Sequence, residues 1–122
     1  MSDVATADAA KFSDFCVHWQ ERFALTDWRL TVSERRARRK VMAEVAAQDL
    51  EQRMVTIRLG KSFAPHPVND DTLNQTACHE MLHVLLHELI ETAKKDPEDE
   101  DVLRSAEHRV INVLERLLTE KT

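Results

Sequence analysis

HEMLHVLLHE, residues 79–88, places three histidines four residues apart, with a glutamate beside each outer one. A spacing of four is the repeat of one helix face, so the three imidazoles share a side of an α-helix. On a wheel at about 100° per residue, Cys78, Leu82, Leu85, Leu86, Leu89 and Ala93 fall in one apolar arc, which predicts the buried side. His79 and His83 lie on its flank, one turn apart, and an i, i+4 pair can aim two imidazoles at one metal ion. Glu80 points further round, within reach of a water on such an ion, which gives it the role of general base. His87 is about 12 Å from His79 along the axis, so it is expected to line a cleft or face solvent. Two histidines do not complete a metal site. The rest of the chain has to supply a third ligand.

Working outward, Thr72 and Gln75 resemble a capping box, so the histidine helix should begin near 71 and run to about Lys95. KKDPEDED, residues 94–101, interrupts it as a solvated turn, with acidic residues favourably placed at the start of a last helix over roughly 99–120. Upstream, GKSFAPHPVNDD (60–71) reads as a loop, with two prolines and helix-capping residues at its end. RMVTIRLG (53–60) alternates Val55, Ile57 and Leu59 against Thr56 and Arg58, a strand pattern. KVMAEVAAQ (40–48) is a weaker strand, with DLEQ (49–52) as the turn of a hairpin. Trp28, Leu30 and Val32 alternate with polar neighbours and give a first strand. Phe12, Phe15, Cys16, Trp19 and Phe23 recur every three or four residues and mark an amphipathic helix over 8–24. The fold class is therefore α+β: an N-terminal helix, a three-stranded sheet, the histidine helix and a C-terminal helix, in a single domain over 1–122.

Composition limits what this domain can be. At 122 residues, with 43% hydrophobic and 32% charged, the chain has the balance of a soluble globular protein. No apolar run is long enough to cross a bilayer, and MSDVATADAA lacks the layout of a secretion signal, so a cytoplasmic location and no membrane partner are expected. In that compartment Cys16 and Cys78 should stay reduced and serve as packing residues. A net charge of −5 argues against nucleic acid as a partner. SERRARRK (33–40) concentrates five basic residues and reads as a solvated hairpin tip, with recruitment of an acidic protein or nucleic acid as the minority reading. Trp19 and Trp28 are expected to anchor the core.

The third ligand is sought on the last helix. Its apolar arc contains Leu103, Ala106, Val110, Val113, Leu114 and Leu117, and Glu107 projects at the edge of that arc. A carboxylate buried there needs a partner, and a zinc ion is one. His108 falls on the polar side, and Glu100 and Asp101 sit close to the preceding turn.

With these residues in view, the chain resembles the zincin metallopeptidases, in particular short phage- and prophage-type zinc peptidases. The resemblance covers most of the chain, through the leading helix, DWRLTV, AEV, MVTIRL, HEMLH and AEHRVINVLERLL. It implies a minimal zincin-like fold, a Zn2+ cofactor held by His79, His83 and Glu107, and Glu80 as catalytic base. The spacing of 23 residues between His83 and Glu107 is similar to the glutamate-zincin pattern. The sequence departs from it at Ile111, where larger enzymes often carry an aspartate. Leu86 and Leu89 exclude the metzincin pattern. The implied activity is hydrolysis of peptide bonds in a protein or peptide substrate, through a zinc-activated water, with an extended peptide held against RMVTIRLG if that strand forms the sheet edge. With no tyrosine in the chain, oxyanion stabilisation falls to zinc or to a candidate among His66, His87, His108 and Arg109.

Two other function classes compete. One is an inactive zinc-binding domain that acts as a protein-binding module. The other is a di-iron helical protein, because Glu80 and His83 also have Glu-x-x-His spacing. The latter needs a second copy of that spacing, which the chain lacks, and it leaves the strands unexplained.

Overall fold

The computed structural model describes residues 2–38, 40–95 and 97–120; Arg39 and Asp96, within the basic and acidic runs, lie outside them. Six elements follow one another: α1 (Thr6–Arg22), β1 (Arg29–Ser33), β2 (Ala43–Asp49), β3 (Met54–Leu59), α2 (Asp70–Lys95) and α3 (Glu100–Thr119). The fold is α+β, with three helices and a three-stranded mixed sheet among the described residues.

The strand order is β1-β3-β2, with β1 parallel and β2 antiparallel to β3. β3 takes the centre because its Val55, Ile57 and Leu59 are all buried, as the strongest β-pattern in the sequence requires. RMVTIRLG is therefore paired on both sides, and the expectation that it forms the sheet edge is corrected: β1 and β2 are the two edges. The β2–β3 hairpin turns where predicted. The Asp49 carboxylate accepts from the Gln52 N–H, and Arg53 leaves the turn with a left-handed backbone, φ 53°. An extra residue at Ala46 makes a bulge between Val45 and Ala47.

The basic run is not a hairpin tip, because β1 and β2 occupy opposite edges of the sheet. The chain crosses the sheet end instead. Ala37 is buried and donates its N–H to the Leu59 carbonyl at 3.0 Å, while the Arg36 guanidinium donates to the Gly60 carbonyl at 3.3 Å. Gly60 permits this crossing: a Cβ there would stand 2.0 Å from the Val41 carbonyl oxygen.

α1 packs on α2 through fully buried Phe12 and Cys16, and Trp19 donates from Nε1 to Asn74 Oδ1 at 2.7 Å. Trp28 is buried, as expected of an anchor, and both cysteines are free thiols. Phe12, Ile57, Leu59, Phe63, Leu73 and Met81 are essentially removed from solvent. Burying side chains of this size contributes about 1.5–3 kcal/mol each.

α2 is capped one turn before the predicted box. The Asn69 side chain accepts from the Thr72 N–H at 2.9 Å, and the Thr72 hydroxyl accepts from the Asn69 N–H at 3.0 Å. Its buried arc differs from the predicted one. Leu73, Thr76, Ala77, Glu80, Met81, Val84 and Leu85 are buried, whereas Leu86 and Ala93 are exposed. Glu80 is on the buried side, whereas Leu82 and Leu89 are only partly buried against the core.

α3 begins at Asp99, whose side chain accepts from the Val102 N–H at 3.1 Å. It buries only Ala106, Val110 and Val113. Among the described residues no helix is long and apolar enough to cross a membrane.

Candidate metal centre

Three side chains of α2 converge. His79, Glu80 and His83 each offer one ligand atom, and the three atoms lie within 4.8 Å of one another. The helical repeat alone produces this: one turn separates the imidazoles, whose ring centroids stand 4.9 Å apart at 82°. Both imidazoles are exposed, while Glu80 is 5% exposed and lies toward the core.

A groove of about 690 Å³ runs between this face of α2 and edge strand β2. Glu44, Gln48 and small residues Ala43, Ala46 and Ala47 form one wall; His79, Glu80, His83, His87 and Ile90 form the other. Burial pushes the Glu80 carboxyl above the ordinary carboxylate range. The positive potential of His83 and His79 opposes this, and the nearby Glu44 carboxylate adds to it. Burial likewise pulls His87 below the usual imidazole range, opposed by Glu91. His87 lines the groove, as expected, with its ring centroid 6.1 Å from that of Trp28 in an edge-to-face arrangement.

The structure brings together three of the four predicted site residues. Glu107 is exposed on α3 and is not a member of the clustered group. Its predicted burial is corrected, for a geometric reason. The buried arc of α3 is narrower than the sequence suggested, since Leu114 is 38% exposed, and Glu107 sits about 100° round from Ala106. No burial cost therefore forces a partner on this carboxylate.

Among the oxyanion candidates, His66 and His108 are exposed. Arg109 donates to Glu88 at 2.5 Å, on a part of α2 about 140° round from His83. What sequence reasoning missed is β2 and its Glu44 as the opposite wall of the groove. The strand read in KVMAEVAAQ is borne out by β2, but which element faces the histidines is set by the strand order and not by local pattern.

Two imidazoles and a carboxylate are a nitrogen and oxygen donor set of the kind that zinc accepts. Compared with protein-family models, with curated proteins and with solved structures, the chain has no match.

Proposed function

We propose that this chain is a zinc-dependent peptidase with a zincin-like architecture, acting on protein or peptide substrates in a reducing compartment. The observation that carries this reading is the cluster of His79, Glu80 and His83 on a groove walled by an edge strand. His79 and His83 would hold the metal, which when bound supplies Lewis acidity for carbonyl hydrolysis near neutral pH. Glu107 is the proposed third ligand; it is exposed and outside the cluster, so α3, which pairs with α2 through Arg109 and Glu88, would have to shift to bring it to the histidines.

The protein's own groups support the chemistry. Burial of Glu80 raises its affinity for a proton, as a general base requires, while the two histidines favour its ionised form. As an edge strand, β2 can pair with an extended peptide along the groove, and its small side chains leave room for one. Comparing cleavage of a cellular protein mixture by wild type and by Glu80→Gln tests the proposal. New termini that appear with wild type alone are expected; identical profiles from the two proteins would refute it.

A second reading is a zinc-binding module without hydrolytic activity. The position of Glu107 outside the clustered group favours it. Zinc binding with no difference between those cleavage profiles is its signature.

A further inference from the structure

On the side of α2 turned away from His79 and His83, a second cavity of about 460 Å³ opens among the α1–β1 turn, the end of the β2–β3 turn and α3. Small-molecule sites typically enclose about 300–1,000 Å³. The floor is apolar, made by buried Trp28, Val84, Leu85 and Val113. The mouth is charged. Arg53 and Arg109 both donate to Glu88, at 3.3 Å and 2.5 Å, and the Arg53 guanidinium lies 5.6 Å from the Trp28 ring centroid.

The charges of Arg53 and Arg109 are matched by Glu88 and Asp27, so what the mouth offers a ligand is spare hydrogen-bond donors. A guanidinium carries five N–H donors in a planar fork, and Glu88 takes one from each arginine. Asp27 approaches Arg53 only to 3.8 Å, beyond hydrogen-bond distance, and is itself 60% exposed. One carboxylate thus holds two cations in place, with donors of both left over for a second acceptor. A ligand cation would have to displace two guanidinium groups; a ligand anion joins them.

The backbone at this cavity is shaped by the end of α1 and by the β2–β3 turn. Among the described residues, Ala24 at φ 56° and Arg53 at φ 53° are the non-glycine positions with a left-handed backbone, and both line this one cavity.

We propose that this cavity binds a small carboxylic acid with an aromatic or branched apolar body. The body rests on Trp28, Val84 and Leu85, and the carboxylate bridges Arg53 and Arg109 beside Glu88. Burial of the body supplies affinity, and the two guanidinium groups supply orientation. The proposal is independent of the metal reading, because none of these groups belongs to the histidine cluster.

N-acetyl-phenylalanine is a suitable probe, titrated into the full chain with binding followed by calorimetry and by tryptophan fluorescence. One saturable site per chain is expected. N-acetyl-phenylalaninamide, which has the same body without the charge, should bind at least about tenfold more weakly. Arg109→Gln and Arg53→Gln, each checked for an unchanged circular dichroism spectrum, should weaken the acid by about tenfold, whereas His83→Ala should leave it unchanged. Binding that is lost with His83→Ala and kept with Arg109→Gln would place the acid on the metal histidines and overturn the proposal. Absence of saturation, equal binding of the amide, or tighter binding of a peptide ending in the same residue would overturn it as well.

Discussion

His79 and His83 stand one helical turn apart with ring centroids separated by 4.9 Å, their planes nearly perpendicular at 82°. Two nitrogen donors are thus presented from a single rigid element, before any other part of the chain contributes. Metal affinity should depend steeply on each imidazole.

Zinc analysis of the purified protein is expected to give about one ion per chain, with none retained by His83→Ala. Stoichiometric zinc in that variant would remove the ligand assignment. Glu107→Ala should leave metal-free stability within about 0.5 kcal/mol, as for other exposed positions. If Glu107 completes the site, its loss should cost at least about tenfold in zinc affinity, since even outer partners of a ligand are worth that much.

Glu80→Gln should keep its zinc and lose hydrolysis by about 10²-fold or more, the usual contribution of a general base. The same variant reports on burial. Because Glu80 holds its proton more tightly in the fold, its contribution to stability is greatest at acid pH and is lost as pH rises through the folded value. Metal-free Glu80→Gln should therefore gain on wild type in denaturant melts as the buffer moves from about pH 4 to about pH 7. A gap that narrows over this range would contradict the burial argument.

The two thiols should separate cleanly in alkylation. Cys16 is fully buried, and that burial, with Glu80 nearby, pushes its thiol up to about 12; Cys78 is half-buried and raised by burial alone. Native protein at about pH 8 is expected to label at Cys78 before Cys16, with Cys16 reacting only on unfolding. A raised thiol value stabilises the fold fully below the ordinary value of 9.0, and that stability is lost as pH climbs toward 12. Equal labelling rates in the native state would show that the α1–α2 contact opens readily.

Gly60→Ala should destabilise by about 1–3 kcal/mol, the usual range for overpacking, because the new Cβ meets a backbone carbonyl rather than a flexible side chain. Chemical denaturation measures this directly. An unchanged midpoint would mean that the chain crossing at Val41 can move aside.

How much of this could be read from residues alone depended on whether local pattern or tertiary cover decided the outcome. The helical spacing of Phe12 and Cys16, the alternation of Val55, Ile57 and Leu59, and the turn after Asp49 are local, and all were legible. The convergence of His79, Glu80 and His83 was legible for the same reason. The buried side of α2 was not, because it depends on what covers the helix: Glu80 is buried, while Leu86 is left exposed. The strand order was also hidden. Nothing in Ala43–Asp49 announces an edge, and the bulge at Ala46 blurs its period. Glu107 illustrates the same limit, since a position at the margin of an apolar arc is buried or exposed according to how wide the partner helix is.

The bulge at Ala46 also bears on what this open sheet edge offers to a neighbouring copy of the chain. An open sheet edge is a template on which identical chains can add strand to strand. With the extra residue, the ladder is divided into Ala43–Val45 on one side and Ala47–Asp49 on the other. A second chain adding to this edge would meet two three-residue segments offset from each other rather than one continuous strand, which disfavours stacking of identical chains.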